Sequence, residues 1–279
     1  MPELPELEVV CAVLNRRIVG QVITDVKVVP PGGPIVVRDL THQGFEACLT
    51  GARVAGIARR GKFLIFSFLA GPPAQFLAIN PKLTGRLQLA VPIDKRLAKT
   101  HVVFTFADGR QLRYVDQKQM GQLYLTHALE SIPDYAGLGP EPFDLSLEEF
   151  RERLKPYRGE IKGILTRGAF IAGIGNAYAD EILWAARLHP YRKRTQLTAE
   201  EVGRLYAAMQ TTLSQAVEKV REEMQENIHL KPRDFLNVHM KTGEPCPRCG
   251  TRISLVGANQ RITNFCRTCQ PGGLIKGME

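Results

Sequence analysis

Two stretches near the ends of the chain carry residue types whose spacing could do chemistry. Met1-Pro2-Glu3-Leu4-Pro5 places a proline second, and removal of Met1, usual before a small residue, would leave a secondary amine beside a carboxylate. An α-amino group titrates near pH ~8, well below a lysine, so much of it is uncharged and nucleophilic at neutral pH. Such an amine can attack a carbon bearing a leaving group, with Glu3 tethered close enough to move protons. The same residues also read as a helix start, with Pro5 at the first helical position and Glu6 and Glu8 favouring the positive end of the dipole. Taken alone, the stretch favours that structural reading.

At the other end, Cys246-Pro-Arg-Cys249 and Cys266-Arg-Thr-Cys269 form a C-x2-C-x16-C-x2-C pattern. This is the spacing of tetrahedral zinc held on two knuckles; disulfides are disfavoured in a reducing compartment. Four thiolates leave no open position for water, so the expectation is one structural Zn2+. Its job would be to brace a hairpin of Thr251–Leu255 and Gln260–Phe265 firmly enough to place Arg261. Cys11 and Cys48 stand singly among apolar neighbours and read as buried packing residues.

Three weaker signals lie between. Gly173-Ile-Gly175-Asn176 precedes a helix. Its glycines permit a tight turn, Asn176 suits an N-cap, and exposed amides at a helix start suit a phosphate. Without a third spaced glycine or a Lys-Ser/Thr pair it is neither a dinucleotide fingerprint nor a P-loop, and by itself it reads as a cap. Arg59-Arg60-Gly61-Lys62 is a basic turn before an apolar strand; such turns are usually just solvated, although Lys62 there can anchor a phosphate. His42, His101, His127, His189, His229 and His239 show no metal spacing and receive no role.

The elements that must position these residues follow from periodicity. Leu7, Val10, Val13 and Leu14 recur at helical spacing, predicting an amphipathic helix from about Pro5 to Arg17. Strands are expected at Val22–Val29, Val54–Ile57, Phe63–Phe68, Gln75–Ile79, His101–Phe106, Gln111–Val115 and Gln122–Leu125, with Asp108-Gly109 as a hairpin turn. Many short strands argue for a β-sandwich or barrel. The proline-bearing stretch from about His127 to Asp144 reads as a linker. Helices are expected at Ile161–Leu165, Ala177–Ala186 and Ala199–Met224, with capping boxes at Ser146/Glu149 and Thr198/Glu201.

Composition narrows the class. With 279 residues and 44% hydrophobic content, the chain is long enough for more than one core. It holds no apolar run long enough to span a bilayer, and its acidic opening is unlike a secretory signal, so a cytoplasmic protein is expected. A net charge of +9 points to a polyanionic partner.

Together, in this order, Pro2-Glu3-Leu4-Pro5-Glu6, Arg60-Gly61-Lys62, Gly173–Asn176 with Tyr178-Ala-Asp180-Glu181, and the four-cysteine finger resemble the formamidopyrimidine-DNA glycosylase/endonuclease VIII family. The resemblance implies an α+β fold: a catalytic β-sandwich at 1–130, a helix–two-turn–helix domain at 131–238 and a zinc finger at 239–279. It implies a monomeric, bifunctional base-excision repair enzyme of the bacterial cytoplasm, acting on double-stranded DNA with oxidised bases or abasic sites. Carried over by position, Pro2 is the nucleophile and Glu3 the proton donor and acceptor, with Glu6 supporting. Lys62 contacts phosphate near the lesion, Gly175 and Asn176 the backbone, and Arg261 a phosphate beside the flipped nucleotide.

Departures from the family pattern fall on the residues that enter the duplex. Asn80-Pro81-Lys82-Leu83-Thr84-Gly85 stands where the formamidopyrimidine branch has His-Leu-Gly-Met-Ser-Gly, so Leu83 replaces the gap-filling methionine. Asp116-Gln117-Lys118-Gln119-Met120-Gly121 replaces Asp-Pro-Arg-Arg-Phe-Gly, putting Lys118 opposite the orphaned base and Met120 in the wedge position. Lysine lacks arginine's planar fork, whereas methionine keeps an apolar, adaptable wedge. These changes, with a stretch before Cys246 that looks shortened, leave room for an endonuclease VIII-like preference for oxidised pyrimidines. A catalytically silent damage-binding protein would be expected to lack Pro2 or Glu3, and a zinc-finger transcription regulator would need a base-reading helix.

Overall fold

Leu7, Val10, Val13 and Leu14 are indeed the buried side of one helix, α1 (Leu4–Ile18), in the computed structural model of the chain. The structure describes residues 1–69, 75–258 and 261–272. They group into two compact units, Met1–Gly137 with Val217–Pro232, and Leu138–Ala216 with Arg233–Glu279.

The first unit is built on two sheets. β1 (Ile23–Val28), β7 (Thr100–Phe106), β8 (Gln111–Asp116) and β6 (Gly85–Ala90) form the first, in that spatial order and antiparallel throughout. The second runs β2 (Val37–Asp39), β9 (Gln122–Thr126), β5 (Phe76–Asn80), β4 (Phe63–Leu69), β3 (Arg53–Arg60). Only its β2–β9 pair is parallel. The expected hairpin joins β7 to β8, with Gly109 at φ +83° where a side chain would be strained. Short helices α2 (Gly33–Val36) and α3 (Phe45–Leu49) lie against β7 and β1 respectively, and α1 packs on β3. Val102, Phe104, Leu112 and Tyr114 on one sheet and Leu77, Ile79, Leu123 and Leu125 on the other are all buried.

Two sequence expectations need correction here. Cys11 and Cys48 are half-buried rather than buried. The Cys11 thiol also donates to the Ile57 carbonyl, at 3.3 Å. The strand β6 was also outside the expected set: its Arg86-Leu87-Gln88-Leu89 alternation follows Thr84-Gly85, residues that read as a turn.

The second unit is helical, then hairpin. The 127–144 stretch contains single 3-10 turns at Leu129–Ser131 and Pro142–Asp144, and the division between units falls inside it. α4 (Leu147–Leu154) starts on the Ser146/Glu149 capping box, with Ser146 Oγ accepting the Glu149 amide at 3.2 Å. α5 (Ile161–Leu165), α6 (Asn176–Ala185) and α7 (Ala199–Met224) follow, the last opening on reciprocal Thr198–Glu201 bonds. β10 (Ser254–Ala258) and β11 (Arg261–Phe265) form the C-terminal hairpin. Its first strand lies three residues beyond the expected Thr251–Leu255. No helix among the described residues is long and apolar enough to cross a membrane.

Candidate active site and nucleic-acid interface

Pro2 and Glu3 sit at the head of α1. Glu3 is the N-cap, extended at φ −118°, ψ −172°, so the chain enters the helix from a straight lead. Its amide donates to Glu6 Oε2 at 2.8 Å, and both carboxylate residues are 2% exposed. Glu6 therefore satisfies a helix-terminal amide that would otherwise be orphaned, and adds negative charge where the dipole favours it. Buried Leu4 and Leu7 press the first turn into the core, fixing where Pro2 lies. Pro2 is itself buried and lines a small apolar cavity with Leu7, Leu64, Pro81, Met224 and Leu230.

Lys62 occupies a two-residue turn between β3 and β4, whose last pair is Arg60 with Phe63. Gly61 takes φ +56°, and Arg59 Nη1 donates to the Gly61 carbonyl at 3.2 Å. The same guanidinium is paired with Glu8 on α1 through Nε at 2.5 Å. One nearly buried arginine thus ties the turn carrying Lys62 to the helix carrying Pro2 and Glu3.

Leu83 lies between β5 and β6, and Lys118 and Met120 between β8 and β9. Leu83 is 42% and Met120 52% exposed, and Lys118 is exposed as well. Asn80 is buried, its Oδ1 accepting the Lys82 amide at 3.2 Å.

In the second unit, Gly173 has φ +88° and Gly175, not Asn176, is the N-cap of α6. Asn176 is the first helical residue. Its Nδ2 donates to the Ile262 carbonyl on β11 at 2.7 Å, so its side chain braces the hairpin rather than capping the helix. One turn on, Glu181 accepts the backbone amides of Asn237, Val238 and His239 at 2.9, 2.8 and 2.9 Å. Asp180 accepts the Asn264 amide at 3.3 Å and faces His239 Nδ1 at 2.8 Å. Lys162 on α5 completes the cluster, bonding Thr263 Oγ1 at 2.7 Å and the Ile262 carbonyl at 3.2 Å.

Lys162 and His239 carry no sequence signal of this role, since a lone lysine and a lone histidine have no spacing to read. His101 and His189 also have structural parts: His101 Nε2 meets the Asp116 carbonyl at 2.8 Å, and the His189 ring stands edge-on to Phe265.

The four finger cysteines converge, with every sulfur within 4.8 Å of the others. Cys246 and Cys269 are 3.9 Å apart, Cys249 and Cys266 3.4 Å. Tetrahedral zinc with bonds of about 2.3 Å separates its sulfurs by about 3.8 Å, so the cluster fits one ion. The knuckles are seated on α6: Trp184 Nε1 donates to Cys246 Sγ at 3.4 Å, and the Arg248 guanidinium lies 4.0 Å over the Trp184 ring. Arg261 opens β11, paired with Ala258, but its side chain lies outside the described residues.

Two antiparallel-rich sheets, a helical unit and a hairpin whose four cysteines converge define a mixed α+β protein with a zinc-finger region. Residues 1–123 match the formamidopyrimidine-DNA glycosylase N-terminal domain, 138–227 the H2TH domain of the same enzymes, and 243–272 the zinc finger found in FPG and IleRS. The chain belongs to the formamidopyrimidine-DNA glycosylase family, and is accordingly a DNA glycosylase with abasic-site lyase activity.

Among its relatives, the formamidopyrimidine-DNA glycosylase of Pelotomaculum thermopropionicum is 36% identical, over 97% of this chain and 99% of that one. That of Bacillus cereus is 37% identical with the same coverage. The crystal structure of the Lactococcus lactis enzyme bound non-covalently to DNA with an abasic site superposes with a TM-score of 0.82 at 33% identity, covering 97% of this chain and all of that one. A MutM complex with DNA containing carbocyclic 8-oxo-G gives 0.83 at 32%, with the same coverage.

Proposed function

We propose that the enzyme excises oxidised bases from double-stranded DNA and cleaves the strand through an iminium formed on the Pro2 nitrogen. The observation that carries this is the head of α1, where Pro2 directly precedes a buried Glu3 whose amide is locked to Glu6. Removal of Met1 frees the nitrogen. The flipped nucleotide presents C1′, whose bond to the base breaks as the Pro2 lone pair forms the new C–N bond. The amine loses its proton, and Glu3 delivers one to the ring oxygen. The ring opens, and the nitrogen lone pair makes a C=N bond with a permanent positive charge, because proline is a secondary amine.

That cation acidifies the C2′ proton. Glu3 removes it, the C3′–O bond breaks and the 3′ phosphate departs; a second elimination expels the 5′ phosphate, and water releases the sugar remnant and restores the amine. Lys62, Asn176 and Arg261 hold phosphates around the lesion, consistent with a chain of net charge +9. When bound, zinc supplies rigidity to the hairpin, and Cys246, Cys249, Cys266 and Cys269 would hold it.

Reduction with borohydride in the presence of abasic-site DNA tests this directly. The expected result is a covalent adduct of protein and DNA, lost when the terminal nitrogen is acetylated. Persistent strand cleavage by the acetylated enzyme would overturn the mechanism. The substitutions at Leu83, Lys118 and Met120 favour a second reading on lesion choice, a preference for oxidised pyrimidines. Single-lesion duplexes of 8-oxoguanine and of an oxidised pyrimidine, each against the four opposite bases, separate the two.

A further inference from the structure

We propose that Asp116 is a positioning residue that joins the Pro81–Thr84 and Gln117–Gly121 loops and thereby sets how Leu83 and Met120 enter the duplex. This rests on the strand-opening function above and assigns the part of it that the departures from the family pattern touch.

Asp116 is the last residue of β8 and has no exposed surface. A buried carboxylate needs donors on both oxygens, and these come from both loops. Oδ1 accepts the Thr84 hydroxyl, and also the Lys118 amide at 3.2 Å. Oδ2 accepts the Gly121 amide at 2.7 Å and the Tyr114 hydroxyl at 3.3 Å. The Lys118 amide is shared, lying 3.0 Å from Thr84 Oγ1. Thr84 is therefore donor to Asp116 and acceptor from the opposite loop at once. Leu83 adjoins Thr84, and Met120 adjoins Gly121, so each apolar probe stands one residue from a bond to the same carboxylate.

Tyr114 closes the arrangement from below. A Cβ on Gly85 would lie 2.2 Å from its hydroxyl, and one on Gly121 1.7 Å. The phenol thus occupies the space that side chains at the ends of both loops would need, which is why both positions are glycine. Burial pushes the Tyr114 phenol far above its ordinary range, with Asp116 adding to the shift, so it stays a donor. The backbone of Asp116 is held too, its amide on the Lys99 carbonyl at 3.0 Å and its carbonyl on His101 Nε2 at 2.8 Å. The carboxylate has no freedom of its own, and whatever fixes it fixes the spacing of the two loops.

The substitutions in the probes leave this frame intact. The side chains of Leu83, Lys118 and Met120 are exposed, and the bonds to Asp116 use the Lys118 and Gly121 amides and the Thr84 hydroxyl instead. The probe side chains can therefore vary while the register of the two loops is kept. Wedging between stacked bases depends on both probes arriving together, and a misplacement of about 1 Å at such a site can lose on the order of 100-fold in rate.

The test compares lyase turnover on an abasic site in duplex DNA with turnover on the same site in a single strand, which needs no wedge. Thr84→Val removes the hydroxyl while keeping shape, Asp116→Asn puts a donor among donors, and Thr84→Ser restores the bridge. For Thr84→Val and Asp116→Asn the duplex-to-single-strand ratio of kcat/KM is expected to fall on the order of 10-fold, with Thr84→Ser recovering it. Fluorescence of 2-aminopurine opposite the abasic site should show reduced unstacking in the same two variants. An unchanged ratio, or equal losses on both substrates, would overturn the positioning role. Absence of lyase turnover by the unaltered enzyme on either substrate would instead overturn the function on which it rests, and the proposal with it.

Discussion

The Lys162 ammonium lies 2.6 Å from Asp180 Oδ1, the two side chains being 7% and 0% exposed. Lys162 stands on α5 and Asp180 on α6, and both also bond β11, so one buried ion pair joins two helices to the finger hairpin. The desolvation of each charge is offset by the other and by contacts around them that include the Ile262 carbonyl, Thr263, Asn264 and His239. Removing one partner leaves the other buried and uncompensated, which costs about 3–5 kcal/mol. Lys162→Met and Asp180→Leu should each lower the unfolding free energy by about that much, read from urea denaturation. The double change Lys162→Met with Asp180→Leu should cost less than either single change. Additive losses would show that the two groups act separately.

The contrast between this pair and the features visible in the sequence is physical. The helix α1 and the cysteine knuckles announce themselves because their signals are local: apolar residues at helical spacing, and paired ligands with two residues between them. The Ser146/Glu149 and Thr198/Glu201 caps are equally local, and both formed as expected. Lys162, Asp180 and His239 meet across intervals of 18 and 59 residues, and no periodicity marks a contact between elements. Asp116 is similar: its neighbours in sequence are ordinary, and its importance comes from Thr84 and Gly121 arriving from separate loops. Asn176 shows the smaller kind of miss. A capping residue and a first helical residue have the same composition signal, and only the Ile262 carbonyl on β11 decides between them.

Glu3 offers a test that separates its two tasks. Base release needs a proton delivered to the sugar, whereas an abasic site already presents a carbonyl that an amine can capture. Glu3→Gln keeps the shape and the backbone bond to Glu6 but cannot move a proton. Base excision is expected to fall about 100- to 10,000-fold, the usual contribution of a positioned acid–base group. Borohydride adducts at preformed abasic sites should survive with a smaller loss. Equal losses in the two assays would place Glu3 in amine activation instead.

Cys11, midway along α1, makes a prediction in pH. Burial is the main influence, reinforced by the Glu8 carboxylate, and together they push its thiol from an ordinary 9.0 up to about 11. At pH 7.5 the reactive thiolate should be on the order of 100-fold scarcer than in an unfolded peptide. Alkylation by iodoacetamide, followed by mass spectrometry, should be correspondingly slow and should accelerate as pH approaches 11. Because the folded form holds its proton more tightly, this group's contribution to stability is present below the unfolded pKa. It is lost as pH rises through the folded one. Alkylation at the peptide's rate at neutral pH would contradict the packing around Ile57.

The finger allows its metal and its arginine to be told apart. Zinc ties Cys246 and Cys249 to Cys266 and Cys269, and α6 meets the cluster through Trp184 and Arg248. Chelation should therefore release the hairpin while β1 to β9 stay folded, so that the separate early transition of the finger expected on heating the zinc-bound protein is lost. Binding to damaged duplex depends on salt, because each neutralised phosphate releases counterions with a slope of about −0.9 per contact. Arg261→Ala should weaken binding and make the slope of log K against log salt shallower by about 1, with the early transition unchanged. Cys249→Ser should give the same shallower slope and lose the early transition as well, because a hairpin without its metal can no longer present Arg261. If Cys249→Ser binds with the full slope, the hairpin holds its shape by strand pairing and by the Asn176, Lys162 and Asp180 bonds to β11, and zinc is dispensable for DNA contact.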